Sequence, residues 1–563
     1  MSVALERIRQ SVRWQRHHLV IATLLVVALA HALASSQWGM PDGASPETTS
    51  SWAVDSIGPV PPLKEAFGRF SRENVDYVGY PLFHYIVLAG AFAPYVAVAW
   101  VTGSLENPTS EFPYGATDPA TFFAHLNFIA SLVSALMAAG IVLAVYLVTR
   151  ELFGRGAALA AMVLAALFPP LGYYGMTSNP DVPYLFWMML AVWQLLCAAR
   201  TQALVSYVLT GVFVSLSAAT KDPGAGFFLL LPAIIPWLAA RGQQGTPGSR
   251  PLRIIFDRRV MGAAIAAVVA FALANNLVFG GFDAFVRHLN FADEIYASNI
   301  AASGGGLLAR QPELAATSAI LLAQMVGLPT WILVGFGAWR AWRLRCTLAL
   351  LLPVLALTYY VSVIVPTIAL SRHLFGVMLL ALPFAGLAIA SIRELGPRAL
   401  RIGLGVIACA AVGWQLVASA HLHQTLWRDS RFAVADWMER NAPAGAVIES
   451  QTQARYLPRL AHRHRYSIVG NSFDAVAYAL RADELTAPAL HARNPDYVLV
   501  LVDSGVSGDP NRTRDPVVRA YFQNLLEGRT GYRVVARFDT PTWFPYRQIT
   551  AGTQPTSILL ARE

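Results

Sequence analysis

Charge is scarce in this 563-residue chain: 13% of its residues are Asp, Glu, Lys or Arg, about half the share found in water-soluble domains. With 55% hydrophobic residues, a chain this apolar cannot hide its surface in one water-soluble core. Lysine is nearly missing. Lys64 and Lys221 are the only two among 42 basic residues. One reading of their survival is chance in an Arg- and Ala-rich coding background; the other is a need for a compact ammonium that Arg does not replace. Cysteine is limited to Cys197, Cys346 and Cys409, all in or near apolar stretches, which excludes a disulfide framework and a Cys-based metal site. Internal repeats and low-complexity tracts are also missing.

What is present is a series of about eleven apolar segments of spanning length. They lie at about Leu19 to Ser36, Phe122 to Leu147, Ala157 to Met176, Pro183 to Ala199, Ala203 to Thr220 and Ala225 to Ala240. Five more follow at Val260 to Phe279, Ala315 to Ala338, Thr347 to Thr367, Leu374 to Ala390 and Ile402 to His421. Arg falls on alternate connections: ahead of the first segment, at Arg150 and Arg155, at Arg200, at Arg241 to Arg259, at Arg340 to Arg345 and at Arg393 to Arg401. Short cytoplasmic loops carry the basic excess, so the N-terminus is expected inside and the tail outside. The stretch Tyr80 to Val101 would invert every later cluster if it crossed; with Pro81, Pro94 and His84 in it, it is expected to lie on or dip into the outer face. The net charge of +9 is accounted for by these loops, and no nucleic-acid partner is expected.

The expected fold is an all-α polytopic membrane bundle with a long first outer loop carrying juxtamembrane helices, over residues 1–424. A small α/β domain follows over 425–563, outside the membrane. There, Ala446 to Ser450, Tyr497 to Val502, Tyr532 to Phe538 and Ser557 to Leu560 read as strands, and Arg431 to Arg440, Asp474 to Leu485 and Pro516 to Leu526 as helices.

On this topology polar residues gather at the outer ends of several helices. The first outer loop, Gln37 to about Pro119, is far longer than most connections, and long loops are usually functional. It holds Asp42, Asp55, Lys64, Tyr80 and His84. The second contributes Asp181, the third Lys221 and Asp222, the fourth His288 and the run Gly304 to Gly306, the fifth Arg372 and His373. Each has a plain alternative. Asp181 can cap a helix, Lys221 and Arg372 can snorkel, and Asp42 sits in an ordinary Pro-Asp-Gly turn.

The order of features resembles the polyprenyl-phosphate-sugar-dependent transferases of the GT-C fold, such as the protein mannosyltransferases and the aminoarabinose transferases. The likeness rests on Tyr80-Pro81-Leu82-Phe83-His84-Tyr85, Arg150-Glu151-Leu152-Phe153-Gly154-Arg155, Asn179-Pro180-Asp181, Thr220-Lys221-Asp222-Pro223-Gly224 and Ser371-Arg372-His373-Leu374. It covers roughly residues 10 to 420. The Asp-Glu pair common in the family's first loop is replaced by lone acids, Asp42 and Asp55, of which Asp55, after Trp52, suits the spacing better.

The resemblance implies a multi-pass enzyme of the bacterial cytoplasmic (inner) membrane. It would move a sugar from a polyprenyl phosphate to a lipid, glycan or protein acceptor with inversion, in contact with membrane lipid. Asp55 is the expected base, Asp42 the reserve, and Asp181 the orienting acid. Lys221, Arg372 and His373 are expected on the donor phosphate, and Lys64, Tyr80 and His84 on substrate. No metal site and no required cofactor is expected, although a divalent cation shared by Asp55 and Asp181 stays open. The rival classes are a transporter or lipid flippase and a non-catalytic envelope scaffold. Mid-membrane charges and half-to-half symmetry, the marks of transporters, are not evident.

Overall fold

The computed structural model describes residues 2–64, 79–109, 111–241, 254–279, 281–302, 310–367, 369–460, 464–469, 481–504, 509–511, 513, 515–544, 553 and 555–563. The Gly304 to Gly306 run and most of Asp474 to Leu485 lie outside these.

Helices dominate the first three quarters of the chain. In order they are α1 (Ser2–Leu33), α2 (Phe83–Val101), α3 (Pro119–Phe153), α4 (Arg155–Ala166), α5 (Pro169–Met176), α6 (Asp181–Thr201), α7 (Leu204–Thr220), α8 (Pro223–Gly226) and α9 (Leu231–Arg241). Then follow α10 (Arg258–Ala274), α11 (Phe282–Ala302), α12 (Gln311–Arg343), α13 (Leu351–Tyr359), α14 (Ser371–Ser391) and α15 (Arg398–Trp427). Every apolar segment expected from the sequence contains helix. Among the described residues, seven helices are long and apolar enough to cross a membrane by length and composition, or eight if the pair α4 and α5, bent by 57°, is one span. The segment expected at Ala225 to Ala240 is divided: α8 and α9 are separated by turns at 227–230. The α2 helix, placed outside by the Arg pattern, also has spanning length.

Local chemistry sets these boundaries. Asp118 caps α3 by accepting from Thr121 N at 3.2 Å, with Pro119 in the first turn, where a missing N–H costs nothing. The bend between α4 and α5 falls at Phe168-Pro169-Pro170, since Pro disfavours helical backbone in the residue before it. The main apolar cluster is made chiefly by α3, α4, α6 and α14, and a second joins α2 to the start of α3. Small residues let these helices close: a Cβ at Gly337 on α12 would lie 1.8 Å from Phe384 O on α14.

The expected boundary after residue 424 falls within the last turn of α15. Asp429 then caps α16 (Ser430–Asn441) through Arg431 N, and a five-stranded sheet follows: β1 (Val447–Ser450), β2 (Arg465–Ile468), β3 (Tyr497–Val502), β4 (Tyr532–Asp539) and β5 (Thr556–Arg562). Its order is β2-β1-β3-β5-β4. The strands β2, β1 and β3 run parallel, and β3, β5 and β4 antiparallel. Helices α17 (Ala487–Arg493) and α18 (Pro516–Leu526) accompany it. The β3 strand reads YVLVLV and is almost wholly buried, as a central strand covered on both faces must be. The β2 strand was not foreseen: Arg465 to Ile468 has no fully buried residue and alternates poorly.

Candidate active site

The long loop between α1 and α2 turns sharply at Ala53 to Ser56. Ser56 N donates to Ala53 O at 3.3 Å, and Asp55, third in the turn, has φ of +59°. That backbone region favours Gly and Asn, with Asp tolerated. The turn is stitched to the loop ahead of α6. Asn179 Nδ2 donates to Val54 O at 3.1 Å, Ile57 N donates to Ser178 O at 3.2 Å, and the Ser56 and Ser178 hydroxyls share a 2.7 Å hydrogen bond. Two loops more than 120 residues apart in sequence thus form one ledge, with Asp55 at one end and Asp181 at the other.

Asp181 is the first residue of α6, after Pro180. Asn179 Oδ1 accepts its N–H at 2.8 Å, so the side chain of Asp181 is released from capping. Its Oδ1 accepts from Lys221 Nζ at 2.6 Å, and its Oδ2 is buried with no hydrogen-bond partner among the described residues. Lys221 follows α7, whose end is tied to α6 by Ser217 Oγ donating to Tyr184 O at 2.9 Å. A Cβ at Gly224 would lie 2.5 Å from Ser217 Oγ, so the Lys-Asp-Pro-Gly turn needs glycine to fold back on α7. The ammonium lies 5.5 Å from the Tyr80 ring and 5.9 Å from the Tyr184 ring, a cation–π cage that suits a desolvated charge. Snorkelling is therefore not what Lys221 does: it is buried on a partner.

Arg372, in the first turn of α14, donates to the Asp55 carboxylate. The α7–α8 connection carries one more polar contact. His288 Nε2 on α11 lies 3.1 Å from both oxygens of Asp222, tying α11 to the α7–α8 connection.

The remaining expected residues divide. His84, one turn beyond Tyr80, is buried with neither ring nitrogen hydrogen-bonded among the described residues. His373 is half-buried beside Arg372. Asp42 closes its own turn by accepting from Ala44 N at 3.1 Å. Lys64 is exposed, 5.5 Å from the Tyr114 ring. No contact among the described residues brings Asp42 or Lys64 to Asp55, Asp181 or Lys221. No group of three or more His, Cys, Asp or Glu residues that could hold a metal ion occurs among the described residues.

Sequence reasoning missed the part played by the α/β domain. Arg431, held by Asp429 through contacts of 2.9 and 2.6 Å, places its guanidinium 3.9 Å from the Trp52 ring centroid and 5.4 Å from that of Trp38. Trp52 Nε1 donates to Leu457 O at 2.8 Å. Arg459 donates to Met40 O at 3.2 Å and Ser50 O at 2.8 Å. Its burial lowers the guanidinium to about 10, with Asp42 opposing the shift, and leaves it a cation at neutral pH. Arg455 Nη2 donates to Ala53 O at 3.2 Å and approaches Ser56 O at 3.5 Å. A signal existed: Ser450 to Phe473 holds several Arg and no acid, so its cations had to find partners elsewhere.

Residues 120–249 match the family model described as dolichyl-phosphate-mannose-protein mannosyltransferase, and the expected likeness to lipid-linked sugar transferases is borne out there. The match includes Asp181 and Lys221 but neither Asp55 nor Arg372. Similar solved structures include ArnT from Cupriavidus metallidurans in the apo state, at 15% identity over 98% of this chain and 98% of that one, with a TM-score of 0.49. The same protein bound to undecaprenyl phosphate gives 15%, 96%, 97% and 0.47. The oligosaccharyltransferase of Archaeoglobus fulgidus, in complex with Zn and sulfate, gives 14%, 85%, 67% and 0.45. No curated protein sequence matches the chain.

Proposed function

We propose that this chain is a membrane glycosyltransferase that moves a sugar from a polyprenyl phosphate to an acceptor hydroxyl on the outer face of the cytoplasmic membrane. The single observation that carries the reading is the ledge. Two carboxylate–cation pairs, Asp55 with Arg372 and Asp181 with Lys221, sit on adjoining loops at one end of an apolar bundle. The family match over the segment bearing Asp181 and Lys221 supports the donor class. A polyprenyl tail partitions between helices, and its head group then meets this polar end. The N-terminus is taken as cytoplasmic and the α/β domain as outside, following the Arg pattern.

In the step we infer, the acceptor oxygen attacks the anomeric carbon from the face opposite the phosphate. The carbon–oxygen bond to phosphate breaks, the electron pair leaves with polyprenyl phosphate, and configuration inverts. The acceptor proton passes to Asp55. Charge grows on the departing phosphate, where fixed cations are worth most. Lys221 is held ready by Asp181, and Arg372 exchanges Asp55 for phosphate when the donor arrives, freeing the carboxylate to act. Tyr80, His84 and His373 line the same end of the bundle. Asp181 keeps Lys221 throughout, so turnover in EDTA is expected to equal turnover in added Mg²⁺.

Purified protein in detergent, given radiolabelled polyprenyl-phosphate mannose and then other polyprenyl-phosphate sugars, should release polyprenyl phosphate with no gradient present. Neither a transporter nor a scaffold would do so. Asp55→Asn should lose at least about 10²-fold of that activity. Full activity in Asp55→Asn with loss in Asp42→Asn moves the base to Asp42; activity surviving both removes the mechanism.

A further inference from the structure

The turn that carries Asp55 is held from two sides. From the membrane domain, Asn179 and Ser178 bind the carbonyl or amide groups of Val54 and Ile57. From the α/β domain, one nitrogen of Arg455 donates to Ala53 O at 3.2 Å and approaches Ser56 O at 3.5 Å, the carbonyls of the first and last residues of the turn. Between them Asp55 adopts a left-handed backbone, φ +59°, a conformation that persists in a side-chain-bearing residue only where its surroundings impose it. An unsupported turn would relax toward negative φ and swing the carboxylate away from Arg372.

Arg455 is well suited to impose it. Among the described residues it has no acidic ion-pair partner and its buried Nε has no hydrogen bond, and its guanidinium lies 5.1 Å from the Tyr456 ring. Its charge is thus directed at backbone carbonyls of the other domain, where a charged donor makes the stronger kind of hydrogen bond. Its neighbours Arg431 and Arg459 do a different job. They fix Trp52 and the carbonyls of Met40 and Ser50, docking the two domains without touching the carbonyls beside Asp55.

We propose that Arg455 is a positioning residue for the reaction: the α/β domain reaches across the first outer loop with this side chain and sets the direction of the Asp55 carboxylate. The inference rests on Asp55 being the base. It gives the domain a part in turnover beyond any contact with the acceptor.

The test is a double-mutant cycle on the full-length protein in detergent, using the polyprenyl-phosphate sugar that supports release of polyprenyl phosphate. Arg455→Ala should lower kcat about 10- to 100-fold, the loss expected when a reacting group is displaced by about 1 Å. The KM for donor should stay within about 2-fold. In the Asp55→Asn background the same substitution should cost less than about 2-fold, because a residue acting through Asp55 has nothing left to position. Arg455→Lys, which keeps one charged donor, should recover part of the activity and guards against an Ala variant that does not fold.

Equal losses from Arg455→Ala in both backgrounds would mean a general structural role and would overturn the proposal. So would a loss confined to KM, or no loss in a folded Arg455→Ala protein. Full activity in Asp55→Asn alone would remove the base reading and this inference with it. An inactive Asp55→Asn beside a fully active Arg455→Ala would remove only the inference.

Discussion

The two ion pairs of the ledge differ in how they meet water. Asp181 and Lys221 are 1% and 8% exposed, caged by Tyr80 and Tyr184. Asp55 and Arg372 are 28% and 26% exposed, and the acid sits on a left-handed backbone. A dry pair is held by the cost of separating its charges, which in the interior exceeds anything water returns. A wet pair can exchange partners, since solvent screens its attraction. In the function we propose, the dry pair is fixed and positions the lysine, and the wet pair opens when the donor arrives.

The comparison breaks most visibly on the buried side. Lys221→Met leaves a buried carboxylate unpaired and should destabilise the fold by about 3–5 kcal/mol, read as a fall in melting temperature; Asp181→Leu combined with it should recover most of that loss. On the exposed side, Asp55→Asn should change stability by no more than about 1 kcal/mol while losing at least about 10²-fold of activity. Equal melting losses in the two single variants would erase the distinction.

Asp55→Gly sharpens it further. Glycine adopts positive φ without a steric penalty, so this variant should melt no lower than Asp55→Asn and be more stable by up to about 1 kcal/mol. The smallest effect belongs to the far edge of the α/β domain. The Thr556 hydroxyl and Arg537 hold Asp539 below its ordinary 3.8. A depressed acid stabilises the fold above its unfolded value and loses that contribution as pH falls through the folded one. Asp539→Asn should therefore flatten, slightly, the decline in melting temperature below pH 4.

Much of the bundle was legible because its signal is local. Apolar length marks each helix, and the Asn179-Pro180-Asp181 and Lys221-Asp222-Pro223-Gly224 turns announce where polar groups leave it. The strand Tyr497 to Val502 was found with its observed limits for the same reason: a continuous run of Val and Leu has few other homes. The β2 strand at Arg465 to Ile468 was not, since its pairing with β1 is a backbone contact that its side chains do not advertise. Nor was the tie between His288 and Asp222, whose residues were each visible but whose meeting was not.

From the sequence alone come the apolar segments, the alternation of Arg along their connections, the acids and lysines available at helix ends, and a mixed α/β tail, because each depends on a residue and its near neighbours. Only the tertiary structure decided that Asp181 serves Lys221 rather than its own helix end, that Arg372 meets Asp55 across 317 residues, and that the α/β domain places an arginine on the Asp55 turn. A charge carries no record of its partner, and which opposite charge or carbonyl it meets is set by how distant helices pack.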